Sequence, residues 1–589
     1  MFSIMNYKKY ILSAFLLVTL FIQTGCDSIF RDEPNNKLSQ KTIWGSDLLL
    51  DEYVLPLYRN MNSGFSVYMP TNSLLKGISR EYLPWFADQI IVSKADWYNT
   101  AYGDILKSTM SEITRKALSN WTNYYTRIQS VNILFENQDK IKDGDHKNRL
   151  LGEAHFFRAY YYYMLLRQFG GTLLIKQPYD PLNDGTKFPR ASYDEMVSFI
   201  AEEAGLAASL LPEKNTTDNV GRVTKGVALM LKAKTYFWAS SPVFQNKEKS
   251  YLGFTTDRSH EMLTKAASSY EDVMKLPYSL ISINGTTQED IKNEYRKIFL
   301  TKNSQESILE VQHSDNGDYA NGFGHKLDRE SVSPFFGGTT AAYTPTQNHI
   351  NEYGMRDGKP YDPAHPYDNR DYRFYANILY DGCTFRGHVM EIHYNKVDGK
   401  EVAGADLTPY GSDNSAAVSK TGYYMGKFVN ESQVIDNNDT YASSQNYIIW
   451  RYAEVLLDYA EVMFRLDKPD VALAMVNQIR NRVHMNQLGS VTWNDIVNER
   501  RVEMAFEETT YWDLFRWGIA AEKMSGGTNP LKMMKVVVEA GKDNSYTISN
   551  MDKYPKRVRT FNNYQYYYPI PWDEIRYHGI EQNPEWTEM

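Results

Sequence analysis

Cysteine is almost absent. The 589 residues hold only Cys26 and Cys383, so a hydrophobic core rather than a disulfide framework must hold the fold. Long apolar runs are also lacking: the stretch Tyr10 to Ile22, uncharged over 13 residues, is shorter than the roughly 20 a helix needs to cross a bilayer. There is no basic excess either. Lys plus Arg total 64 against 72 Asp plus Glu, a net charge of −8, which argues against nucleic acid as a partner. Catalytic motifs are missing too: there is no HExxH, CxxC or Walker loop, and Gly354–Lys359 is one residue short of a phosphate loop and runs into Pro360. Glu499, Glu503 and Glu507 stand one turn apart but lack the Glu-x-x-His companions of a di-iron site, and Arg500 and Arg501 beside them favour ion pairing. Asp357, Asp362, Asp368, Asp371 and Asp381 follow no EF-hand pattern and read as solvated turns. No catalytic residue, metal or cofactor is expected. What the chain has in abundance is rings, with 45 Tyr, 26 Phe and 11 Trp. Tyr and Trp dominate that set and suit half-wet surfaces, so some should line a binding surface while most pad helix interfaces.

The N-terminus reads as an export signal over residues 1–25. Lys8 and Lys9 form its basic region, the apolar run follows, and Gln23, Thr24 and Gly25 lead to Cys26. This resembles the lipobox of bacterial lipoproteins, in which the cysteine receives a lipid and becomes the new N-terminus, although Gln23 stands where Leu is usual. The resemblance makes Cys26 a lipid anchor, leaving Cys383 without a partner. Residues 26–40, with Asp27, Arg31, Asp32, Glu33 and Pro34, then form a polar tether.

Helices dominate both flanks of the rest. Leu150, Ala154, Phe157, Tyr161 and Met164 recur at helical spacing up to Gly170, and Val227, Met230, Ala233 and Phe237 do so between Thr224 and Pro242. Ser192 with Glu195 has the form of a capping box opening a helix that runs to about Leu211. Tyr452 to Val462 and Ala472 to Val483, joined by Asp467, Lys468 and Pro469, form a helical hairpin. Small and large residues alternate on these faces as in stacked tetratricopeptide pairs, without a clean 34-residue repeat. From about 286 to 445 helical periodicity nearly vanishes while aromatics persist, which predicts an ordered, loop-rich insert on a helical scaffold (about 41–285 and 446–589) within one domain, 41–589.

Several blocks then resemble one family. Glu153-Ala-His-Phe-Phe-Arg158 through Tyr163 and Gly170, Gly221 to Lys225, Arg451 to Glu461, Asn477 to Arg482, Glu499-Arg500 with Glu503 to Glu507, Asp513 to Trp517, and Tyr568 to Pro571 with Gln582 to Pro584 are similar, in order, to the SusD/RagB outer-membrane nutrient-binding lipoproteins of Bacteroidetes. Two departures stand out: Glu508-Thr509-Thr510 where the family usually has Gly-x-Arg, and Glu585-Trp586 where it has Gly-Tyr. The resemblance implies a mainly α, SusD-like fold with four tetratricopeptide-like helix pairs. It also implies lipid anchoring in the outer membrane facing outward, and a SusC-like TonB-dependent transporter as partner, to which captured oligosaccharide or polysaccharide is delivered. Some branches carry peptides instead, and an enzyme on this scaffold is the remaining alternative. Within this reading Arg158, Arg451, Glu454, Glu499, Arg500 and Glu503 are helix-to-helix ion pairs.

A sugar offers an apolar C–H face and a rim of hydroxyls, so its site needs an exposed ring beside polar side chains. Two windows have that mix without helical periodicity: Tyr82 to Tyr102, with Trp85, Asp88, Gln89, Trp97, Tyr98 and Asn99, and Phe335 to Arg356, with Phe336, Tyr343, Gln347 and Asn348. Trp97, Tyr98 and Phe336 are the expected platforms, Asn99 and Asp88 the rim partners, and Trp85 and Tyr343 further candidates.

Overall fold

The computed structural model describes residues 43–587 apart from 60, 62–63, 66–83, 85–86, 92, 94–109, 181–184, 315–323, 339–340, 409–417, 436–442 and 552–560. The lipobox cysteine Cys26 lies outside this set. Among the described residues the first helices are α1 (Asp47–Tyr58), α2 (Met110–Glu136), α3 (Asp145–Phe169), α4 (Tyr193–Leu210), α5 (Lys225–Ala239), α6 (Ser259–Met274) and α7 (Gln288–Leu300). The longer helices after the loop-rich region are α8 (Tyr452–Arg465), α9 (Pro469–Arg482), α10 (Trp493–Glu503) and α11 (Thr509–Arg516). Consecutive helices pack in pairs from α2 to α6, and α8 packs on both α9 and α6.

The sequence signals for these helices correspond to physical caps. Ser192 Oγ accepts from the Glu195 backbone N–H at 3.2 Å while the Glu195 carboxylate accepts from Ser192 N–H at 2.8 Å. The α3 helix ends at Gly170, whose φ of +74° and close approach to the Tyr251 carbonyl leave no room for a Cβ. The tyrosine run on α3 is core. Tyr161 and Tyr162 are fully buried, and their hydroxyls donate to the carbonyls of Leu57 (2.5 Å) and Ile175 (2.9 Å), which satisfies the polar end of each buried ring.

The loop-rich region leaves and rejoins the scaffold through one antiparallel ladder, β2 (Ser307–Val311) against β8 (Tyr447–Arg451), with Val311 opposite Tyr447. Between them lie the short strands β3 (Thr344–Pro345), β4 (Thr384–Phe385), β5 (His388–Val389), β6 (Tyr394–Val397) and β7 (Lys400–Ala403); β1 (Ile90–Ile91) pairs with β3. Two boundaries differ from the sequence expectation. Residues 288–300, placed in the irregular insert, form helix α7, opened by Thr287 Oγ1 accepting from Asp290 N–H at 3.1 Å, and its buried Ile291, Tyr295, Ile298 and Phe299 keep a helical period. Conversely, part of the C-terminal scaffold segment is a hairpin, β9 (Lys532–Val538) with β10 (Ser545–Asn550). It joins the insert's sheet in the order β10-β9-β6-β7, and its Met534 and Val536 complete the core beneath the insert.

Candidate functional site

Beneath the insert runs a buried network of ion pairs that fixes it to the helices. Arg451, fully buried, meets Glu306 at 2.9 Å, Glu503 at 2.8 Å and Glu507 at 2.8 Å. Arg482 meets Glu306 and Glu503, and Arg373 joins Asp371, Glu499 and Glu503. Burial alone would push the Glu503 carboxyl up, but Arg482, Arg451, Arg373 and Lys427 hold it well below the usual carboxylate range. Burial lowers the Lys427 ammonium to about 8, opposed by Glu507 at 2.8 Å. A second group links α8, α10 and α11: Arg500 reaches Asp458 and Asp513, each at 2.5 Å, and Glu454 at 3.4 Å. Arg158 grips Glu203 with two bonds of 2.8 Å. The six residues expected to form ion pairs thus do so, and the carboxylates Glu499, Glu503 and Glu507 are tied to cations. Among the described residues no group of three or more His, Cys, Asp or Glu side chains is arranged to hold a metal.

On the surface of the insert an aromatic cluster is assembled from distant segments. Phe335, 39% exposed, lies flat against the His388 imidazole at 3.9 Å and 15°. Phe336 meets Phe335 edge-on at 5.0 Å and Phe385 at 5.3 Å. Phe385 and His388 flank the two-residue turn of the β4–β5 hairpin, where Arg386 (φ +51°) and Gly387 (φ +75°) both adopt the left-handed conformation that such turns require. The turn is anchored by Arg386 Nη2, which donates to the Asn430 carbonyl at 2.9 Å. Behind the cluster the fully buried Asp406 accepts from His388 Nε2 at 2.9 Å, Glu391 N–H at 2.8 Å and Ser333 Oγ at 2.5 Å. An ionised carboxylate only accepts, so the His388 proton sits on Nε2 and the imidazole is held in one orientation. The result is a rigid ring with one face backed and the other partly open, beside the exposed Val389.

The two sequence windows meet in the fold. Ile90 and Ile91 pair with Pro345 and Thr344, and Ser93 N–H donates to the Ala341 carbonyl at 2.9 Å while its hydroxyl bonds Thr344 Oγ1 at 3.0 Å. Ser93 is the last described residue before the Trp97 segment; Trp85, Trp97, Tyr98 and Asn99 themselves lie outside the described residues. Of the others, Phe336 sits in the surface cluster. Two expectations need correction. Asp88 is 4% exposed, its carboxylate held by Arg501 at 2.6 Å and Asn529 at 3.1 Å, so it pins the root of the segment instead of offering a rim oxygen. Tyr343 is fully buried in the core beneath the insert and presents no ring face to solvent. Gln89 and Gln347 are also buried and committed to protein partners, Phe506 N–H and Tyr423 Oη. Sequence reasoning missed His388 entirely and passed over Phe335 in favour of its neighbour. The Phe335-Phe336 pair was a visible signal; the stacking partner, 53 positions on, was not.

A sequence profile of the SusD family matches residues 305–586, and one described as starch-binding associating with outer membrane matches residues 71–237. The chain belongs to the SusD family. SusD-like protein P38 of Formosa agariphila is 22% identical over 562 residues, spanning 90% of this chain and 96% of that protein. A solved SusD-like protein from Bacteroides fragilis superposes with a TM-score of 0.71 at 25% identity, covering 94% of this chain and all of its own. A second structure from that organism, described as a SusD-like carbohydrate binding protein, gives 0.67 at 21% identity over 91% of this chain and 99% of its own. The mainly helical architecture expected from the motif blocks is thus the family fold.

Proposed function

We propose that this SusD-family chain is a cell-surface lipoprotein that captures oligosaccharides or polysaccharide and passes them, uncleaved, to a SusC-like TonB-dependent transporter. The observation that carries the reading is the Phe335–His388 stack: an exposed ring, locked from behind by Asp406, presents an apolar face of the kind that packs against sugar C–H groups. Phe336 supports that ring from the side. Trp85, Trp97, Tyr98 and Asn99 of the earlier sequence window are the further ligand-binding residues of this reading. Membership of the SusD family, the starch-binding description of one matching profile and the carbohydrate-binding description of a solved neighbour support a glycan as cargo. Cys26 supplies the lipid anchor, which places the folded body on the outer face of the outer membrane.

The test is a binding screen of the soluble body, from Asp27 onward, against a panel of polysaccharides by affinity electrophoresis and calorimetry, with Phe335→Ala and Trp97→Ala run beside it. Binding of one polysaccharide without release of reducing ends, weakened by Phe335→Ala, is the expected result. Glycan binding untouched by both substitutions would remove the proposed site; peptide binding with no glycan bound would replace the cargo.

A further inference from the structure

The scaffold contains a cavity distant in role from the aromatic face. It lies where α3, α5, α8, α10 and α11 come together beside β8, and its walls include Tyr163, Trp450, Trp512, Arg167, Arg516 and Glu454. Its volume is about 70 Å³. Its lining residues include five that carry a buried polar atom without a geometric hydrogen-bond partner: Glu454 Oε2, Arg516 Nη2, Arg167 Nε, Trp238 Nε1 and Thr509 Oγ1. Glu454 is fully buried and Arg516 is 5% exposed. The remaining atoms of these two are committed. Glu454 Oε1 takes Lys234 at 2.5 Å and Arg500 at 3.4 Å, and Arg516 uses Nε on Asp513 at 2.8 Å and Nη1 on Glu461.

The chemistry of these atoms selects the occupant. Two guanidinium nitrogens and an indole nitrogen only donate, a carboxylate oxygen only accepts, and a hydroxyl does both. An anion would satisfy the arginines and be repelled by Glu454; a cation would do the reverse. A neutral molecule that both donates and accepts serves all of them. A water needs about 10–15 Å³ of such space, whereas an engineered cavity of about 150 Å³ is what admits benzene, so this volume suits a handful of waters and excludes a sugar ring. We propose that the cavity is a binding site for a cluster of ordered waters, which completes the hydrogen bonding of Glu454, Arg516, Arg167, Trp238 and Thr509 where these helices meet. Glu508 and Thr509, at the start of α11, form one wall of the cavity.

Crystals of the protein, examined at high resolution with and without xenon pressure, test this. Polar cavities stay wet, whereas apolar voids take up xenon. The expected result is discrete water density within hydrogen-bond distance of Glu454 Oε2 and Arg516 Nη2, no xenon, and loss of the water at Oγ1 alone in Thr509→Val. Oxygen-17 relaxation in solution should report the same long-lived waters. Xenon in the cavity, density for an ion or organic molecule, or absence of long-lived waters would overturn the proposal.

Discussion

The helical scaffold and the insert are both rich in rings, yet they use them in opposite ways. On α3 the rings of Tyr160 to Tyr163 are all buried, and the hydroxyls of Tyr161 and Tyr162 are spent on backbone carbonyls of neighbouring segments. On the insert, Phe335 keeps part of its surface in water and relies on a histidine and a buried aspartate to hold its shape. An aromatic residue is enclosed or left available at the surface according to what stands behind it, and the same comparison holds for charge. The scaffold's acids are enclosed by arginines, whereas Asp406 orders a surface group.

The sharpest way to break this contrast is at the shared foundation. Arg451→Met leaves Glu306, Glu503 and Glu507 buried with one partner fewer, and a loss of about 3–5 kcal/mol is expected, read by denaturant unfolding and accompanied by loss of glycan binding. The same network sets the acid limit. Because Glu503 is held well below the ordinary carboxylate value of about 4.3, the folded state binds fewer protons than the unfolded one beneath that value. The stability contributed by Glu503 is therefore full above it and declines as pH falls toward the folded-state value. Melting temperature measured from pH 7 to 3 should drop below about pH 5, with a shallower drop in Glu503→Gln. At the surface the effect separates from stability: Phe335→Ala should weaken glycan binding by about 2 kcal/mol, roughly thirtyfold, in calorimetry, while the melting temperature stays close to that of the parent. The smallest effect belongs to Ser192→Ala, which removes one cap for about 1 kcal/mol and should leave glycan affinity unchanged.

The scaffold was legible because its signals are local and periodic. Ser192 and Glu195 are three residues apart and do what that spacing implies; Gly170 ends α3 where the apolar period stops. The ion pairs were legible as a class, since so many opposed charges on helix faces have few other places to go. The insert was harder because its geometry depends on contacts far apart in the chain. Asp88 and Arg501 are separated by 413 positions, and nothing near Asp88 announces that its carboxylate is taken. Tyr343 lies in a stretch without a period, where a buried ring and an exposed one look alike. Helix α7 was overlooked for a different reason: polar and charged residues fill its outer face, which masks the spacing of Ile291, Tyr295 and Ile298.

The ladder of β2 and β8 has a consequence for how such a surface changes over generations. Because the excursion begins at Val311 and returns at Tyr447 on paired strands, its two ends are held together whatever lies between them. Closing a longer loop costs only about 0.6 kcal/mol per doubling of length, a small amount beside the ion pairs at its base. The insert therefore has a fixed socket: surface turns away from Asp371, Arg373 and Lys427, which are tied into the buried network, can change length without moving the two ends that the ladder joins.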